Sequence, residues 1–297
     1  MIFEALRRHE TKADLLMMYP QEWELSAHAA KDTSSETALL IQARDVWNVS
    51  MMPIQVKTFK NEQDPTWQDS YTKLLAFNQT QYKRVISIDS DGTILDNMDE
   101  LFLLPSAPVA MPRAYWMPEK FFLSSQLIVI EPSQAEWTRV EDAMDHHQGH
   151  DYDMDILNKL YAKSSTVIPH RKYDILSGEF HNTEHENYLG SPVEKWDARN
   201  ALKEAKFVHF SDWPMPKPWL EPQEGMVEKY QPECRMVRPE LQDCSDREVW
   251  LHLREDFSQR RERVCGRAFD EKAQPQLRKR FLGDRVSSPP WYEPRFG

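Results

Sequence analysis

The sequence has no apolar run long enough to span a membrane, no excess of positive charge, and only three cysteines in 297 residues. The first absence removes a transmembrane span. The opening M-I-F-E-A-L-R-R-H-E reads as an amphipathic helix start without the apolar stretch of a signal peptide, so as written the chain is expected in the cytoplasm. A net charge of −11 argues against a nucleic-acid partner, because phosphate contact needs a basic surface. Cys234, Cys244 and Cys265 all fall in the last quarter at spacings unlike any zinc site; one disulfide plus a free thiol, or three reduced thiols, both remain open. No internal repeat is present.

What is there is a globular composition, 40% hydrophobic, enough for one substantial core and an extension. Helical and extended patterns alternate. Helices are expected over Phe3 to His9, Glu36 to Val46, Trp67 to Tyr82, from Ser133 to His146 behind a Ser133/Glu136 capping box, and over Asp153 to Lys163, with a short turn at Asn97 to Phe102. Strands are expected over Leu15 to Tyr19, Val49 to Val56, Val85 to Asp89, Val109 to Met111, Gln126 to Glu131 and Lys206 to Phe210. This alternation predicts an α/β sheet with helices on both faces. W-P-M-P-K-P-W-L-E-P, from Trp213, is too rich in proline for either element. A charged helix follows from Asp246 to Cys265, with Trp250, Leu251, Leu253 and Phe257 as its apolar side, and then a basic tail from Ala273. Residues 1–220 are read as one domain and 221–297 as a helical extension and tail.

The chemistry concentrates at R-V-I-S-I-D-S-D-G-T, residues 84–93, where a β-branched run delivers Asp89 and Asp91 at its end. Such a run suits a strand buried on both faces of a parallel sheet. Residues two apart on an extended segment share a side, so both carboxylates can reach one divalent cation while Ser90 faces away. Carboxylates suit Mg²⁺ or Mn²⁺, and those ions suit phosphates. The same D-x-D-G-T after a strand also resembles the haloacid-dehalogenase-type phosphatases, with Asp89 as nucleophile and Asp91 as acid; the separate lysine and later acid pair of that group are not found.

Three further features lie with the acid pair: Lys73 in Y-T-K-L-L-A-F-N, Asp153 and Asp155 in D-Y-D-M-D-I-L-N, and His209 with Lys217 in V-H-F-S-D-W-P-M-P-K-P-W. In this order and spacing, together with N-M-D-E-L-F after the acid pair, they resemble glycosyltransferase family 8, the glycogenin-like enzymes. The resemblance runs from Met1 to about Trp219 and is strongest to the fungal N-acetylglucosaminyltransferase branch, also called glucose N-acetyltransferases. It implies a GT-A-type nucleotide-diphospho-sugar transferase fold with a mixed, mostly parallel sheet. It implies a metal-dependent retaining transfer of a sugar, N-acetylglucosamine in that branch, from a UDP-sugar to a glycan acceptor. By position, Asp89, Asp91 and His209 are implied as ligands of Mn²⁺ (or Mg²⁺). Lys73, Asp89, Ser90, Asp91, Ser125 and Lys217 are implied as the donor- and cofactor-binding set, and Asp153 as the catalytic carboxylate. The family also implies the Golgi lumen. The sequence departs from the family pattern at Met154, where many members carry Gln, at S-S-Q from Ser124 to Gln126 in place of N-S-G, and at Asp212 and Trp213 in place of a glycine. Family members open with a strand of the T-Y-A-T type; here the first element is the helix that should follow it, so the sheet is expected to lack that strand. Met154 and the lost strand also motivate an alternative in which the fold serves as an interaction module.

Overall fold

A computed structural model describes residues 1–23, 36–58, 69–148 and 151–269. The basic tail from Ala273 and the start of the helix expected at Trp67 lie outside the described residues.

The first helix, α1 (Ile2–Arg8), has Glu4 in its first turn and Arg7 and Arg8 in its last, which complements the helix dipole, and it buries Ala5. β1 (Leu15–Pro20) then pairs in parallel with β2 (Val49–Ile54), the crossover being made through α2 (Glu36–Trp47). A 3₁₀ segment (Ser70–Asn78) carries Lys73, and it buries Tyr71, Leu74, Leu75, Ala76 and Phe77. It leads into β3 (Val85–Ile88), after which β4 (Gly92–Ile94), a 3₁₀ turn (Asp99–Leu103), β5 (Val109–Pro112) and β6 (Leu127–Ile130) follow. α3 (Gln134–Asp145) opens with Ser133 accepting from the Glu136 N–H at 3.1 Å, half of the expected capping box. The Glu136 carboxylate turns instead to Arg139 and the Tyr161 hydroxyl. α4 (Asp153–Tyr161), β7 (Thr166–Ile168), α5 (His170–Tyr173), β8 (Ile175–Leu176), a 3₁₀ turn (Ser177–His181), α6 (Glu186–Leu189), α7 (Ala198–Glu204) and β9 (Phe207–His209) complete the region of the predicted domain. Beyond it lie α8 (Met226–Tyr230), a hairpin of β10 (Arg235–Arg238) and β11 (Leu241–Asp243), and α9 (Ser245–Cys265). A disulfide between Cys234 and Cys244 closes that hairpin and Cys265 is a free thiol, the first of the two cysteine arrangements left open.

The strands form mixed sheets. One has the order β3-β6-β5-β7, with β6 antiparallel to both β3 and β5 and β7 parallel to β5; another has the order β4-β9-β8. β3 is therefore not enclosed in a parallel sheet, as its apolar run suggested, but is an edge strand antiparallel to β6. Its four residues are only half buried. The Asp89 N–H donates to the Gln126 carbonyl at 2.8 Å, so by the alternation of antiparallel pairs Ile86 and Ile88 turn their N–H and C=O groups away from β6. Among the described residues nothing pairs with that edge, nor with the edge of β1 opposite β2, and the pair β1-β2 stands apart from the four-stranded sheet. Among the described residues no strand joins β1 to β3.

Two apolar layers cover the four-stranded sheet. One joins Ile128 and Ile130 to the 3₁₀ segment, α3 and α4, and the other joins Leu127 and Val129 to α1 and Leu101. A third cluster surrounds β8 and β9, and α9 supplies Val249, Trp250, Leu253 and Phe257 to it. The α9 helix also reaches the first helix and β4, through Arg260 to Glu4 at 3.4 Å and to the Thr93 hydroxyl at 2.5 Å.

Candidate active site

The acid pair lies where the chain leaves one sheet for another. β3 ends at Ile88, Asp89 is tied to β6, Ser90 is exposed, and the Asp91 carbonyl accepts from the Phe210 N–H at 2.9 Å just beyond β9. The two carboxylates converge because of this crossing, not because they share one side of an extended strand. Gly92 makes the crossing possible. A Cβ there would lie 2.4 Å from the Phe207 ring and 2.7 Å from the Val208 carbonyl, so a larger residue would push β9 away. With glycine in place, His209 sits directly opposite Gly92.

His209 Nε2 lies 2.9 Å from Asp91 Oδ1 and 3.9 Å from Asp89 Oδ2. One ligand atom from each of the three residues falls within 4.8 Å of the others. Donors about 2.1 Å from an octahedral ion stand ~3 to 4.2 Å apart, so small side-chain shifts would complete the set. Two carboxylates and an imidazole form a mixed oxygen and nitrogen set that suits Mn²⁺, and Mg²⁺ less well.

Two lysines back the acids. Lys73 Nζ lies 2.6 Å from Asp89 and 3.2 Å from Asp153, and Lys217 Nζ lies 2.8 Å from Asp91 and donates to the Phe210 carbonyl. Asp153 starts α4, is buried, and accepts from the Ser125 hydroxyl. Burial pulls the Lys73 ammonium down, but Asp153 and Asp89 outweigh it and hold it above its ordinary value. Burial would also raise the Asp91 carboxyl, yet His209 and Lys217 hold it far below the carboxylate range. Asp89 goes the other way: burial, with Asp91 nearby, raises it despite Lys73. Three carboxylates against two ammonium groups leave room for a divalent cation, and with one bound the cluster turns net positive toward an anion.

Lys73, Asp89, Asp91, Ser125, Asp153, His209 and Lys217 gather at this place, with Ser90 exposed between the carboxylates, whereas Asp155 turns back to accept from the Tyr152 N–H at 3.1 Å at the start of α4. Several residues that shape the site were not singled out. Gly92 is one. Asp212, marked in the sequence only as a departure from a family glycine, gains a role here: it is buried, accepts from the Trp250 indole N–H at 2.6 Å, and lies 3.7 Å from Arg254, which ties the proline loop carrying Lys217 to α9. Asp174 was not singled out either; it is fully buried, and burial pushes its carboxyl up to about 8. An acid in the otherwise apolar Y-D-I-L was the available signal.

No family model matches the chain. Among curated proteins, glucose N-acetyltransferase 1 of Gibberella zeae is 51% identical over 270 residues, which cover 89% of this chain and 58% of the relative. The protein of the same name from Aspergillus fumigatus is 43% identical over 280 residues, covering 89% of this chain and 72% of that one. The chain thus spans little more than half the length of the first relative. Among solved structures, the apo-form glycosyltransferase GlyE of Streptococcus pneumoniae aligns with a TM-score of 0.50 at 15% identity, over 84% of this chain and 55% of that one, a likeness of fold. The fold is of the GT-A type, and the chain belongs to the glucose N-acetyltransferase family.

Proposed function

We propose that this protein is a metal-dependent retaining glycosyltransferase that takes N-acetylglucosamine from a UDP-sugar and places it on a glycan acceptor. The observation that carries the reading is the Asp89, Asp91 and His209 cluster backed by Lys73 and Lys217, in a chain half identical to a glucose N-acetyltransferase. A bound Mn²⁺ supplies positive charge where the diphosphate leaves. Lys217 is held at the mouth of the cluster by the Phe210 carbonyl, and its remaining N–H bonds can pass from Asp91 to a phosphate oxygen. Lys73 plays the same part deeper in the site and holds Asp153, with Ser125, in one orientation. The Asp153 carboxylate would then face the positive charge that builds on the sugar ring carbon. Met154 offers no amide to a donor, so a role for an amide at that position does not carry over. The phosphatase alternative has no support among the relatives.

The Cys234–Cys244 disulfide supports an oxidising compartment such as the Golgi lumen, where such bonds persist. The direct test is release of UDP from UDP-N-acetylglucosamine by the purified chain with Mn²⁺ and mannan oligosaccharides as acceptor. The expected result is Mn²⁺-dependent release, slower with UDP-glucose and UDP-galactose. Binding of UDP without transfer to any acceptor or water would favour the interaction-module reading, which Met154 and the open edges of β1 and β3 also motivate.

A further inference from the structure

One buried acid has no part in these roles. Asp174 closes α5 and precedes β8, is wholly out of solvent, and has neither carboxyl oxygen in hydrogen-bond geometry with any described residue. Buried polar atoms without partners are rare, and a charge in such a place is costly. The Ser124 hydroxyl is the polar group facing it, and Asp89 and Lys73 are close enough to act on it through their charges. Ser124 is itself fully buried. Its N–H is bound to the Pro112 carbonyl at 2.9 Å, and its oxygen accepts from the Gln126 N–H at 3.2 Å. Its own hydroxyl proton is therefore free for Asp174. The next residue, Ser125, donates to Asp153.

We propose that Asp174 is a positioning residue of the donor site: its carboxyl accepts a hydrogen bond from the Ser124 hydroxyl, fixes the Ser124–Gln126 turn, and so sets Ser125 against Asp153. The inference rests on the reading of this site as a nucleotide-sugar site. The groups that face Asp174 are Asp89 after β3, Lys73 on the 3₁₀ segment, Ser124 before β6 and the Tyr115 phenol; from α5 the His170 carbonyl takes its N–H. Ionisation would set a second negative charge near Asp89 and draw Lys73 away from a phosphate, so donor binding weakens when Asp174 loses its proton. Burial places that loss at about 8. In stability, the acid is protonated in both states below 3.8; from there to about 8 only the unfolded chain releases the proton, so stability falls as pH rises and then levels off.

The test uses UDP with Mn²⁺ as probe, under argon, titrated into wild type, Asp174→Asn and Asp174→Ala from pH 6.5 to 9, beside ligand-free thermal transitions from pH 4 to 9. The wild type is expected to lose at least threefold in affinity between pH 7 and 9. Asp174→Asn, which can still accept from Ser124, keeps affinity within about twofold of wild type at pH 7 and loses the alkaline fall; Asp174→Ala, folded by its transition, binds about tenfold more weakly at every pH. Ligand-free, the decline between pH 4 and 8 shrinks in Asp174→Asn. Identical alkaline profiles for wild type and Asp174→Asn, or an Asn variant no better than Ala, would overturn the proposal. If wild type binds no UDP at any pH, the donor-site reading falls and this inference with it, while the ligand-free arm separately shows whether Asp174 is a neutral acid.

Discussion

Lys73 and Lys217 hold neighbouring carboxylates, yet their surroundings give them different weights. Lys217 is about a quarter exposed and lies at the rim, so Lys217→Ala removes a charged contact from the donor and little from the fold. Affinity for UDP with Mn²⁺ is expected to fall ten- to hundredfold by calorimetric titration, about 1.5 to 3 kcal/mol, with the melting temperature nearly unchanged. Lys73 is ringed by Asp89 and Asp153, and its loss strands two buried acids. Lys73→Ala is expected to cost about 3 to 5 kcal/mol in urea unfolding as well as donor binding. Unchanged stability would show that the two acids accept neutralisation by protons alone. At this scale the sequence was legible where chemistry is announced by residue type: Asp89, Asp91, His209, Lys73 and Lys217 were all named from spacing and resemblance. It was not legible where a residue acts through shape or depth. Gly92 matters because of what Phe207 and Val208 place beside it, and Asp174 because it is wholly buried beside the Ser124 hydroxyl, and both follow from packing between segments far apart in the chain.

Helices with their own periodicity, α3, α4 and α9, were readable, and so were β3, β6 and β9, which lie in continuous apolar runs. β4, β8 and the β10–β11 hairpin were not, since no such run marks them and each is set by its neighbour. The same limit hid the antiparallel placement of β3, because a β-branched run looks alike in an enclosed strand and at an open edge. That placement is testable by hydrogen exchange. The amides of Ile86 and Ile88 face the uncovered edge and are expected to exchange at least tenfold faster than those of Val85 and Ser87, which bond to β6. Equal protection would mean that something covers the edge in solution. α9 bears on the site through Trp250, which bonds Asp212, and Arg254, which lies 3.7 Å from Asp212 and donates to the Pro216 carbonyl at 3.1 Å. Trp250→Phe keeps most of the packing but leaves the buried Asp212 without its indole donor, for an expected loss of about 1 to 3 kcal/mol. Trp250→Ala adds a cavity and should cost about 3 to 5 kcal/mol, read from urea midpoints. Because Asp212 anchors the loop that carries Lys217, the Phe variant should also weaken UDP binding, whereas a purely packing role would leave it intact.

Taken as a whole, an acidic chain of net charge −11 holds a small acid cluster backed by two lysines, and the cluster is assembled from four separate places: the 3₁₀ segment, the β3–β4 crossing, the start of α4, and β9 with the loop after it, braced by α9. Composition gave the class, and the order of motifs gave the family, which the curated relatives share. The open edges of β1 and β3 follow from strand pairing and are seen only once the strands are placed. The central claim is that Asp89, Asp91 and His209 hold a divalent cation that in turn holds a nucleoside diphosphate. It is tested most directly by the thermal transition of the chain with Mn²⁺, with UDP, and with both, beside an Asp89→Ala/Asp91→Ala variant. The account predicts a rise that needs both ligands, equivalent to about 2.7 kcal/mol at a hundred times the dissociation constant, and that disappears in the variant. A rise with UDP that is indifferent to Mn²⁺, or one that survives loss of both aspartates, would contradict it.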